Sequence, residues 1–135
     1  MPRSTIANRR SHQFDKNLEL RDYTAAAISA TTAGSAIALD ATKLVNYKCV
    51  VDVAAYSSYS AGTAQWTISV EASADNSTFA PVGSITPAGT AGKFDIPLSG
   101  EWVQDLVASA AYIRVRAVKT GSPGNLTYGA FLQPC

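Results

Sequence analysis

The chain of 135 residues contains one histidine and two cysteines, and only 16% of it is charged. Each shortage excludes something. The single histidine, His12, stands near the N-terminus, so the body of the chain can build neither an imidazole base nor a histidine-rich metal site. The cysteines, Cys49 and Cys135, have no zinc-ligand spacing. No glycine-rich loop opens into a helix to hold phosphate, and no serine sits in a G-x-S-x-G elbow. No apolar run approaches the roughly 18 residues of a membrane-spanning helix. The opening MPRSTIANRRSHQFDKN lacks the apolar stretch of a secretory signal, so the sequons at Asn76 and Asn125 carry no expectation of glycosylation. A net charge of +1 argues against nucleic acid or a membrane as the main partner. Nothing calls for a cofactor or a metal, and no catalytic group is expected.

What is present is alternation. In Gln65–Ser73 (QWTISVEAS), Trp66, Ile68, Val70 and Ala72 fall on one face and Thr67, Ser69, Glu71 and Ser73 on the other, the pattern of a half-buried strand. Asp75-Asn76-Ser77 is turn chemistry, with a calcium loop as the alternative. A second arm follows at Phe79–Ile85, in which Pro81 and Gly83 mark an irregularity. Leu44–Ala55 places Val45, Tyr47, Cys49, Val51 and Val53 on one face. Lys93–Leu98 turns Phe94, Ile96 and Leu98 inward, with Pro97 indicating an edge or a strand end. Tyr112–Val118 (YIRVRAV) turns Ile113, Val115 and Ala117 inward and Tyr112, Arg114 and Arg116 outward. Tyr23–Ser29, Ser35–Leu39 and Asn125–Leu132 complete the strands, Thr31–Gly34 reads as a turn, and Glu101–Ala108 as a helical turn or crossing loop. About eight short strands separated by Gly, Pro, Ser and Asn specify an all-β fold, a β-sandwich or jelly roll.

Residues 1–22 differ from residues 23–135. Arg3, Arg9, Arg10, Lys16 and Arg21 stand there with Asp15, Glu19 and Asp22, and the apolar residues Ile6, Phe14, Leu18 and Leu20 keep no sustained period. This segment reads as an extended N-terminal arm, a frayed terminus being the alternative, with 23–135 as the sandwich domain. Arginine forks and sparse apolar anchors suit contact with another subunit, which nominates Arg3, Arg9, Arg10, Phe14, Leu18, Leu20 and Arg21 as partner-binding residues. The stretch from Leu18 to Asp22 also alternates and could add a strand to a sheet edge. Trp102, Tyr112, Arg114 and Arg116 are further partner-binding candidates, as aromatics and guanidinium groups outside the expected core. Trp102 with Tyr56, Tyr59 and Tyr112 could also stack on sugars; the other reading of Trp102 is packing over one end of the core. Asp40, Asp52, Glu71, Asp75, Asp95, Glu101 and Asp105 are scattered, which suits solvated surface charge; the alternative is a glycosidase-type pair brought together by folding. Cys49 reads as a buried free thiol, a disulfide to Cys135 being the alternative.

Three stretches, VEASADNSTFAPVGSIT (Val70–Thr86), YIRVRAV and NLTYGAFL (Asn125–Leu132), together resemble the small β-sandwich proteins of tailed-bacteriophage particles. The shared features are the Asp75-Asn76-Ser77-Thr78-Phe79 turn, the Val82-Gly83 strand and the Tyr112-Ile113-Arg114-Val115 strand, and the likeness covers about half the chain, from Trp66 onward. A similar pattern occurs in discoidin-like and sugar-binding modules. The polar arm and small-residue composition look most like the capsid cement (decoration) proteins. That resemblance implies a non-enzymatic virion structural protein on the outer capsid surface, made in the host cytoplasm. It would bridge and stabilise major capsid proteins, often as a homo-oligomeric trimer or dimer. The alternatives are a carbohydrate-binding or host-attachment module and a tail, neck or fibre protein.

Overall fold

Strict alternation makes Gln65–Ser73 a strand with one face out of water: Trp66, Ile68, Val70 and Ala72 are all fully buried. The rest of the fold assembles against that face. The computed structural model describes residues 19–38, 46–99, 103, 105–107 and 110–134. Among them are nine strands: β1 (Glu19–Arg21), β2 (Thr32–Ala33), β3 (Ile37–Ala38), β4 (Asn46–Val53), β5 (Gln65–Ser73), β6 (Ala80–Ile85), β7 (Gly92–Ser99), β8 (Tyr112–Thr120) and β9 (Tyr128–Pro134). They form two antiparallel sheets, as expected for a β-sandwich. Sheet I runs β1-β9-β4-β7; sheet II runs β2-β8-β5-β6, with β3 also pairing β8.

The core lies between the sheets. Cys49, Val51 and Val53 of β4 and Leu132, Ala130 and Tyr128 of β9 face Ile68, Val70, Ile113 and Val115 of β5 and β8. Burying a side chain of Val, Leu or Ile size contributes about 1.5–3 kcal/mol. At Gly83 an added Cβ would lie 2.6 Å from Ile96 Cγ2. Glycine there is a packing requirement, and the β5–β6 register shifts beside it, between Val70 and Glu71. Pro97 is exposed on β7, the edge strand that a missing N–H tolerates.

One end of the sandwich is closed by loops tied to Trp66. Its Nε1–H donates to the Gly124 carbonyl at 2.8 Å, and its backbone N–H donates to the Tyr56 hydroxyl at 3.3 Å. Tyr56 in turn donates its hydroxyl proton to the Pro87 carbonyl at 2.6 Å, and burial raises its pKa above the usual phenol value. At Gly121 (φ 69°) a side chain would run into the Thr63 carbonyl, so the β8–β9 turn can carry only glycine.

Three expectations need correction. Tyr23–Ser29 is a turn rather than a strand. The Asp22 carboxylate accepts the N–H and the O–H of Thr24, at 2.9 and 2.8 Å, which curls the chain, and only Ile28 bridges onward, to Leu126. Thr31–Gly34 is not a free turn, because Thr32 and Ala33 pair with Ala117 and Arg116 of β8. The sandwich also begins before Tyr23: Glu19 and Arg21 pair with Phe131 and Ala130 on β9. Within the alternating stretch Glu19–Arg21 therefore does add an edge strand, Leu18 lying outside the described residues, and Leu20, 5% exposed, belongs to the core. Around Glu101–Ala108 the Val107 N–H donates to the Val103 carbonyl at 2.8 Å, one helical turn over a wholly buried Val103.

Candidate functional site

β8 is an inner strand of sheet II, and alternation sends Tyr112, Arg114 and Arg116 to the outer side while Ile113, Val115 and Ala117 fill the core. The ladder then sets their neighbours. Glu71 stands opposite Arg114, and Ser69 stands opposite Arg116; beyond Ser69 on β6 lies Ser84. Directly opposed residues share a face. One transverse row therefore reads Ser84, Ser69, Arg116 and Ala33 across four strands.

The two arginines have different environments. Arg114 Nε donates to Glu71 Oε1 at 2.7 Å, and its guanidinium lies 3.8 Å above the centre of the Phe79 ring. Glu71 is only 6% exposed, so this ion pair is largely removed from water and satisfies both partners inside the chain. Arg116 is half-buried and makes no ion pair with any described residue. Around it are hydroxyls: Ser69 and Thr67 half-buried, Ser84 and Thr86 exposed, with Thr67 and Thr86 hydrogen-bonded at 3.3 Å. These serines and threonines were not singled out in the sequence. Their outward parity on β5 and β6 was readable, but their placement beside Arg116 depends on cross-strand register.

The other nominated residues fall elsewhere. Leu20 is core, as described. Arg21 donates from Nε to the Tyr128 carbonyl at 3.0 Å and from Nη2 to the Ala26 carbonyl at 2.9 Å, and its guanidinium lies 4.7 Å over the Tyr128 ring. It fastens β1 to its own sheet, so neither Leu20 nor Arg21 is presented outward as the arm reading required. Arg3, Arg9, Arg10, Phe14, Leu18 and Trp102 lie outside the described residues, as do His12 and Cys135. Tyr56 is buried, and Tyr59 stands edge-on to it with ring centroids 6.3 Å apart.

No family model and no curated protein matches this chain. Its chemistry must be taken from its own side chains. Asp75 Oδ1 accepts the N–H groups of Ser77 and Thr78 and the Ser73 hydroxyl, all at 2.9 Å. Those bonds hold its carboxyl below the usual carboxylate range, the Thr78 N–H contributing most, and they make the segment a side-chain-capped turn. Lys48 pairs with Asp95 at 3.3 Å, and Glu71 is committed to Arg114. Among the described residues no group of His, Cys, Asp and Glu could hold a metal ion. Cys49 is a buried free thiol, pushed up to about 12 mainly by burial and also by the Asp95 charge, and so unreactive.

Proposed function

We propose that this is a non-enzymatic structural protein of a virion, a cement protein that binds neighbouring major capsid subunits and stabilises the shell. The observation that carries this reading is the junction at Glu19. The charged leader, with Arg3, Arg9, Arg10 and Lys16, feeds directly into β1 at the edge of sheet I. The body beyond it has its own closed core. The body acts as a rigid knob, and the leader adds arginine–carboxylate and apolar contacts on adjacent subunits. Repetition over a symmetric shell turns a weak single contact into strong avidity. The stretches that resemble phage β-sandwich proteins map onto the β5–β6 hairpin, β8 and β9, the framework of both sheets.

Deleting residues 1–18 tests this. The shortened chain is expected to melt cooperatively, with unchanged circular dichroism, and to lose decoration of shells. A shortened chain that decorates as well as the intact one overturns the role of the leader. Deletion of residues 1–22 is a poorer test, because it also removes Leu20 and Arg21 from the body. Location of the chain in particle density separates a cement from a tail, neck or fibre protein. Sugar binding on a glycan array, lost on Trp102→Ala, would replace the cement reading with an attachment module.

A further inference from the structure

We infer that the outer face of β5, β6 and β8 is the docking surface, and that Arg116 there receives a carboxylate from the partner protein, flanked by the Ser69 and Ser84 hydroxyls. This rests on the cement reading and deepens it by naming the face and the chemistry of the capsid surface it meets.

The inference comes from a missing counter-charge. Arg114 and Arg116 are two residues apart on one strand and share one face, yet only Arg114 has an acid opposite it. The carboxylate diagonal to Arg116, Glu71, is held by Arg114 at 2.7 Å. The other described cations are placed differently. Lys48 pairs with Asp95, Lys119 Nζ donates to the Ser29 carbonyl at 2.9 Å, Arg21 is bonded within sheet I, and Lys93 stands opposite Asp52 on the β4–β7 ladder. Arg116 alone is half-buried in the middle of a sheet face with no carboxylate across from it.

A partly desolvated guanidinium is best compensated by a planar acceptor that takes two parallel N–H bonds, which a carboxylate provides. The side chains around it suit protein contact. Ser69, Ser84, Thr67 and Thr86 are short, lose little conformational freedom on being covered, and offer hydroxyls at the rim of such a pair. No large side chain rises from this row to hold a partner off, since its members besides Arg116 are Ser84, Ser69 and Ala33. The complement is an acidic side chain on a flat protein surface.

Two experiments on the full chain test the assignment. In the first, the ¹⁵N-labelled protein is titrated with poly-L-glutamate at low salt. The expected shifts centre on the Arg116 Nε–H and the amides of Ser69 and Ser84, vanish in Arg116→Ala and persist in Lys93→Ala. Shifts centred on Lys93 or Lys48, shifts indifferent to Arg116→Ala, or a response to polyphosphate alone overturn the inference. In the second, Arg116→Glu is expected to weaken binding to shells lacking this protein by roughly tenfold or more, with Arg116→Lys intermediate and neither variant changing the melting temperature. Shells that bind Arg116→Glu as well as wild type overturn the docking face and leave the cement reading standing. Shells that bind no wild-type protein overturn the cement reading, and the titration then decides the face by itself.

Discussion

The two outer faces of the sandwich are built from the same alternation and end up opposite in character. On sheet I, Val50 points away from the core and is nevertheless wholly out of water, Phe131 beside it is half-buried, and Gln133 is 5% exposed. The turn after β1 lies over part of this face: at Gly129 an added Cβ would be 2.8 Å from the Tyr23 Cβ. On sheet II the corresponding face presents hydroxyls and Arg116. Strand parity alone therefore does not identify a wet face. What is laid across the sheet afterwards decides it: Val50 on sheet I is covered, whereas Ser84 and Thr86 on sheet II stay exposed.

The largest test of this contrast is a matched pair of substitutions. Val50→Asp places an unpaired charge where no water reaches and is expected to destabilise the fold by on the order of 4 kcal/mol. Ser84→Asp on sheet II should change stability by no more than about 0.5 kcal/mol. Denaturant titration of both variants measures the difference, and equal effects would remove the distinction between the faces. Next in size is the comparison within sheet II. Arg114→Ala leaves the buried Glu71 carboxylate without its counter-charge and should cost about 2–4 kcal/mol, discounted for the partial exposure of Arg114. Arg116→Ala should be close to neutral in the same titration. If the two arginines proved equally important to stability, Arg116 would be a structural group rather than one held for a partner.

A further test is read in alkali, on the inner side of sheet I. Burial pushes the Tyr128 phenol from 10.0 up to about 12, opposed by the Arg21 charge, and the Cys49 thiol from 9.0 to about 12. Both folded groups hold their protons more tightly than the unfolded chain does. Their contribution is complete below pH 9.0 and is lost as pH rises towards about 12. Melting temperatures followed across that window should fall, with Tyr128→Phe and Cys49→Ala each flattening the decline. A wild-type profile that stays flat to pH 12 would contradict the burial of both groups.

Where local pattern sets structure, the sequence was informative. Trp66, Ile68, Val70 and Ala72, and Ile113, Val115 and Ala117 on β8, are all 0% exposed as their parity requires. It misled where a side chain captures its own backbone, as Asp22 does with Thr24, or where pairing is long-range, as for Thr32 and Ala33 on β8. The same limit governed the site. Tyr112, Arg114 and Arg116 were placed on the correct face, but the Arg114–Glu71 pair spans 43 residues, and nothing local distinguishes that arginine from Arg116. Glu19, Arg21 and Asp22 share the charged character of the leader, although β1 (Glu19–Arg21) belongs to sheet I.

The most direct measurement is site-specific photo-crosslinking on decorated shells, with benzoylphenylalanine replacing Ser69 in one protein and Asp95 in another. Both positions point outward, one on each sheet. Crosslinks to the capsid subunit from position 69 and none from position 95 are expected. Crosslinks from position 95 alone would show that the partner meets sheet I, and the open face of sheet II would then have no part in docking.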